Sequence, residues 1–410
     1  MRRALIWGLW GTLAVACGNG GGSAQPDNDG GVTVNDSSTP PPPPSDAMEP
    51  PPTGDGGGGG GMSAAAKLAI KLRGKPNFMI GMGNDLANNH DQDGAYTLGT
   101  TLDLHYAYLV GLPGQGGWPD WNSGGTFVNI LTDSANKHGV TPMFILYAMA
   151  AGGDGNLGVV VDDTYMKAYW DGAKLLFQRL GAYDRPAAVV IEPDFWGYAM
   201  QRSADGKGAV HVTQHAPDCA SVTNDFRGMG ACLVKLARMY APKSVVGFEA
   251  SQWGGTLAGI VSFFKAIGAD QADFVSNDPL DRDAGCFEAH TDPNCQRSST
   301  GLYWDESNTK SPNFREYLAW VKGMTDGVKL PMLFWQVPFG VPSDTPGGTA
   351  GKYRDNRVRY IFNHVDEFVA AGAAGATFGT GAGNQTYITT DNGQFKNAVT
   401  KYFTAPFVIP

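Results

Sequence analysis

The stretch VVIEPDFWGY (189–198) sets two carboxylates, Glu192 and Asp194, two positions apart at the end of a run of β-branched residues. In extended backbone such residues share a face. Two acids held close cannot both ionise cheaply, which raises one pKa, and a carboxyl kept protonated near neutral pH is what a general acid needs. Glu249 follows Val-Val-Gly-Phe in the same manner, and Asp278 ends FVSND. An acid after a strand also serves as a helix N-cap or a turn residue. A buried carboxylate without a partner is expensive, however. No Lys or Arg ends any of these runs, Arg282 being nearby, so the acids point to a site. The expected chemistry is proton transfer at a leaving oxygen, with Asp194 or Glu192 as acid and Glu249 or Asp278 as base or nucleophile.

The neighbours of these acids suggest the substrate. Asp85, His105, Tyr106, Tyr147, Trp196, Trp253, Asn277, Trp335 and Gln336 fall at or near the ends of apolar runs. Sugars present apolar C–H faces and polar edges, so aromatic faces among acids and amides suit a saccharide cleft. Phe195 and Trp196 would be its platforms. The plainer role for such large rings is to fill the top of a core.

Eight short apolar runs could position these groups: 78–83, 102–111, 142–148, 187–193, 244–250, 272–278, 331–337 and 374–381. Between most of them lie helix-period stretches, at 127–139, 164–181, 225–241, 256–269, 314–327 and 356–372. Several of these end at Gly and lead quickly into the next run, which is helix-stop chemistry followed by a short loop. Nearly continuous apolar strands alternating with helices imply a parallel sheet covered on both faces. The pattern predicts an α/β fold, a (β/α)₈ TIM-type barrel whose chemistry sits at the carboxyl ends of the strands. Residues 84–101 show no convincing helix, and a doubly wound open sheet is the alternative.

The first residues are of another kind. MRRALIWGLWGTLAVAC (1–17) reads as a signal peptide, too short for a membrane-spanning helix of roughly 20 apolar residues. Its end resembles the lipobox of bacterial lipoproteins, with Cys17 as the lipidated residue and Ala14 where Leu is usual. Residues 18–62 carry Pro40–Pro44 and six glycines from Gly56 to Gly61, a tether that cannot bury enough surface to fold. The barrel is expected over 63–410. Export permits disulfides, and spacing suggests Cys219 with Cys232 and Cys286 with Cys295, stapling the insertions at 199–222 and 279–312. The charge of −9, from 30 basic and 39 acidic residues, without a basic run after Arg3, argues against nucleic-acid or anionic-lipid partners. A monomer is expected, in the cell envelope or outside the cell, touching a membrane only through its N-terminal lipid.

Asn89, Asp91, Asp93 and Gly94 form half of a calcium-loop pattern, but Thr100 stands where it needs Glu. The seven histidines show no H-E-x-x-H or similar spacing, and no G-x-S-x-G elbow occurs. No metal or cofactor is expected; an Asp-rich loop at 278–283 leaves metal-assisted hydrolysis as a third reading.

VVIEPD (189–194), GFEASQWGG (247–255) and FVSND (274–278) resemble, in order and layout, the middle strands of family 6 glycoside hydrolases, the inverting cellulases. The resemblance covers about residues 187–280. That family places its catalytic acid in a loop after the third strand, where this chain has ILYAMAAGGDGN (145–156) and only Asp154. The family's Trp-Val-Lys-Pro-Gly pattern is replaced by GTGAGNQ (379–385). The expectation is a glycoside hydrolase acting on a polysaccharide by carboxylate acid/base catalysis. The alternative is a surface lipoprotein whose barrel binds glycans without cleaving them.

Overall fold

A computed structural model describes residues 61–83, 95–279, 282–289, 295, 304–342, 355–379 and 385–410. Eight parallel strands close into a barrel in chain order. They are β1 (Met79–Gly83), β2 (Leu104–Val110), β3 (Thr141–Tyr147), β4 (Ala188–Ile191), β5 (Val245–Glu249), β6 (Phe274–Asn277), β7 (Met332–Val337) and β8 (Ala373–Phe378). Except at β2, every strand residue is buried. That burial on both faces explains why the strands read as unbroken apolar runs. The barrel is the expected one.

Helices cover the outside, and their starts follow local chemistry. Asp162, Asp225, Thr256 and Asn313 each accept a backbone N–H in the first turn of the helix they precede, satisfying a donor the helix leaves open. The stretch read as one helix over 356–372 is two, Arg357–Asn363 and Val365–Ala370, with His364 between them. Inside the barrel, a Cβ on Gly247 would lie 2.3 Å from the Phe274 ring; the glycine lets that ring fill the interior.

Closure between β7 and β8 is irregular. Phe334 pairs with Ala376 and Val337 with Phe378, so Trp335 and Gln336 together oppose the single residue Thr377. Such a bulge re-aims side chains, and here it falls at the carboxyl end of the barrel. Cys219 is bonded to Cys232, and Cys286 to Cys295. The first bridge fastens the insertion after β4 onto helix Phe226–Tyr240. The signal, Cys17, the tether through residue 60, Asp85 and residues 89–94 of the half calcium loop lie outside the described residues.

Candidate active site

Seven non-glycine residues among those described have positive φ. Four have local reasons. Asp184 and Lys329 close helices Asp163–Tyr183 and Phe314–Val328 as left-handed caps, and Asn308 and Asn392 are of a type that tolerates this region. The other three are Glu192 (47°), Asp194 (63°) and Gln336 (50°), at the carboxyl ends of β4 and β7. Each stores about 1–3 kcal/mol that the surrounding structure must offset. This conformation corrects the same-face argument. The backbone at 192–194 is not extended, and the two carboxylates diverge.

Glu192 points away from the barrel mouth. Its carboxyl is fully buried and accepts backbone N–H groups from Met149 (2.9 Å) and Ala148 (3.3 Å), with Tyr169 alongside. Burial pushes it up to about 8 against those hydrogen bonds. It ties the turn after β3 to the end of β4.

Asp194 points into the mouth. Its backbone N–H donates to Glu249 Oε2 at 3.3 Å. The Tyr147 hydroxyl, at the end of β3, lies 2.9 Å from Asp154 Oδ1 and 3.4 Å from Asp194 Oδ2. Two carboxylates from two βα segments thus share one phenol. Burial and then the Asp154 charge raise Asp194 to about 6, while Tyr147, Arg282 and Trp253 favour its ionised form. Asp154 is exposed and Asp194 half-buried. Both line a cleft with Tyr147, Leu157, Val159 and Tyr198. The sequence reading names Asp154 as the one acid in the loop after β3 but leaves it out of the site.

Glu249 is buried behind Asp194. Ser251 donates to its Oε2 at 2.7 Å, and Oε1 has no hydrogen-bond partner among the described residues. Burial and then the Asp194 charge push it up to about 8. Asp278 is raised well above the carboxylate range by burial and by Glu249 and Asp194, with Arg282 opposing. Asn277 donates to Ala250 O (2.7 Å) and accepts from Tyr317 (2.5 Å).

Three expected sugar contacts are placed elsewhere. Trp196 is fully buried, its indole N–H bonded to Ile191 O at 3.0 Å and its ring packed on Phe195 and Phe248. A ring buried in this way is core, and Phe195 is buried with it. His105 lies near the amino end of β2, because that strand runs on to Val110. Its ring packs on Tyr96, and burial lowers its pKa to about 3. The residue at the mouth is Tyr108, missed in the sequence. Its hydroxyl donates to Gln336, and its ring sits between Tyr147 and Trp335. Tyr106 is buried below, 6.0 Å from Tyr108 ring to ring. Gln336 Nε2 and Trp335 Nε1 are buried without hydrogen-bond partners among the described residues. Trp253 is 41% exposed, its ring 4.5 Å from that of Tyr198 and lying over Gly197, where a Cβ would come within 2.7 Å.

No protein-family model and no curated protein matches the chain. Similar solved structures are glycoside hydrolases. One is the endoglucanase Cel6 from Mycobacterium tuberculosis in complex with methyl-cellobiosyl-4-deoxy-4-thio-β-D-cellobioside, at 14% identity over 65% of this chain and 73% of that one, with TM-score 0.33. Another is a Bacteroidetes-affiliated GH5 cellulase linked with a polysaccharide utilization locus, at 10% identity over 83% and 94%, with TM-score 0.48. A third is a psychrophilic family 10 endo-β-1,4-xylanase, at 11% identity over 77% and 88%, with TM-score 0.43. Likenesses this distant establish no family and carry no argument about function; the barrel rests on its own strand pairing.

The buried acids make stability fall with pH. Glu192 and Glu249 hold their protons to about 8 in the fold but only to about 4.3 unfolded. Between those values the folded state binds more protons, so stability drops as pH rises. Tm is expected to decline from pH 5 to 8, less steeply in Glu249→Gln. A flat Tm over that range would contradict the protonated burial of both groups.

Proposed function

We propose that this chain is an exported glycoside hydrolase cleaving a polysaccharide, with the Asp154–Tyr147–Asp194 cluster as its proton donor. The observation carrying this reading is the phenol shared by two carboxylates at the mouth of a barrel. Asp194 holds a proton up to about pH 6. In the proposed step the Asp194 proton passes to the Tyr147 oxygen as the Tyr147 proton passes to Asp154. The exposed Asp154 then protonates the glycosidic oxygen as its bond to the anomeric carbon breaks, while a solvent water adds to that carbon and gives its proton to bulk water. Asp194 is left ionised, in the field of Arg282. Glu249, expected as base or nucleophile, is pushed up to about 8 and so holds its proton at neutral pH, and burial raises Asp278 in the same direction. We assign Glu249 to positioning Asp194 through its backbone N–H.

Trp253 and Tyr198 offer an aromatic face beside Asp194, and the N–H groups of Trp335 and Gln336, without partners among the described residues, suit sugar hydroxyls. Trp253→Ala is expected to weaken oligosaccharide binding roughly tenfold, the scale of one aromatic contact; unchanged affinity in calorimetry would remove it from the cleft. The N-terminal leader and lipobox-like Cys17 support export and a lipid anchor, and two disulfides fit an oxidising compartment. Among the described residues no helix is long and apolar enough to cross a membrane. The rival reading, a barrel that binds glycans without cleaving them, predicts binding that depends on Trp253 and is indifferent to Asp154 and Asp194. New reducing ends from a polysaccharide panel separate the two.

A further inference from the structure

Away from the cleft, the first turn of helix Asp163–Tyr183 meets the insertion after β4. His211 Nδ1 and His215 Nε2 each lie 2.9 Å from the same oxygen, Asp163 Oδ1, and the three ligand atoms fall within 4.8 Å of one another. Only His215 is placed to hydrogen-bond there; His211 Nδ1 is buried, aimed at the cluster, and has no hydrogen-bond partner among the described residues. The main chain that carries both imidazoles is fixed by hydrogen bonds. His211 N–H donates to Val160 O and its carbonyl accepts from Trp170 Nε1, each at 2.8 Å. Asn224 Oδ1 accepts from Val212 N and Thr213 N, and His215 N–H donates to Val212 O.

We propose that Asp163, His211 and His215 form a three-ligand surface site for a zinc-class divalent cation. Tetrahedral zinc with bonds of about 2.0–2.1 Å places its ligand atoms about 3.3 Å apart, so the observed 2.9 Å contacts need only a slight outward relaxation. Two imidazoles with one carboxylate select Zn²⁺, Ni²⁺ or Cu²⁺ over Ca²⁺ and Mg²⁺. Asp163 is 73% exposed at its side chain, leaving the fourth position to water. The ion would staple the β4 insertion to the Val159–Val161 turn, whose Val159 lines the cleft. This proposal departs from the expectation drawn from histidine spacing. HVTQH has the four-residue spacing without the Glu of a zinc-protease helix, and it lies in a loop whose partner, Asp163, is far away in sequence.

The test uses the untagged, chelator-stripped protein, titrated with ZnCl₂ by calorimetry and followed by thermal unfolding. The expected result is one Zn²⁺ per chain and a Tm raised by roughly 2 °C at a tenfold excess over Kd, with no rise in CaCl₂. His215→Ala and Asp163→Asn, both at least partly solvent-facing, should bind at least tenfold more weakly. Absence of stoichiometric uptake by the native chain would overturn the site. So would uptake undiminished in both variants, which would put the ion on the cleft carboxylates.

Discussion

Asp194→Asn and Asp154→Asn should each lose more than about 10³-fold in kcat on a cleaved polysaccharide while unfolding at a near-native temperature. Each removes one member of a pair that shares the Tyr147 hydroxyl, and general acid catalysis is worth about 10²–10⁴-fold. Asp194 is the store, because it holds its proton to about 6; Asp154 is the exposed end that meets substrate. Activity should therefore fall as pH rises through about 6, where Asp194 ionises. Tyr147→Phe keeps the ring and removes the relay, so it should lose as much kcat as Asp194→Asn, with KM little changed. Full activity in Asp154→Asn would return the acid role to Asp194 acting alone.

Glu192 should behave in the opposite way. Glu192→Ala leaves the buried N–H groups of Ala148 and Met149 without acceptors and opens a cavity behind β4. The expected loss is about 2–5 kcal/mol, or about 3–7 °C in Tm for a chain of this size. Glu192→Gln is the informative partner. The native carboxyl is protonated up to about pH 8, and an amide of the same shape fills the same space and keeps an acceptor toward one of the two N–H groups, which donate to different oxygens. That variant should retain most of its stability and activity. Loss of catalysis in Glu192→Gln with an unchanged Tm would instead make Glu192 a participant in the chemistry, as the sequence first suggests.

These contrasts show what was legible beforehand. The barrel was, because seven of the eight strands are buried throughout and so appear as apolar runs, while Asp, Thr and Asn stand at helix starts. That acids and aromatics gather at one rim was also legible. Their directions were not. Positive φ at Glu192 and Asp194 breaks the two-residue periodicity on which same-face reasoning depends. A bulge turns Trp335 and Gln336. Trp196 and Trp253 have the same local signature, an aromatic just beyond a strand, yet one is buried by Phe248 and the other left open beside Tyr198. Asp154 joins Asp194 through a phenol that neither neighbours in sequence, a long-range contact with no periodic trace.

Release of new reducing ends by the purified protein tests the central claim most directly. Native protein and Asp194→Asn would be incubated side by side with cellulose, xylan, mannan and other glycans near pH 5.5, with binding measured in parallel. The account predicts release from at least one polysaccharide by the native protein and none by the variant, with binding equal in both. Glycan binding without release by the native protein would contradict it and leave a barrel that holds sugars without cutting them.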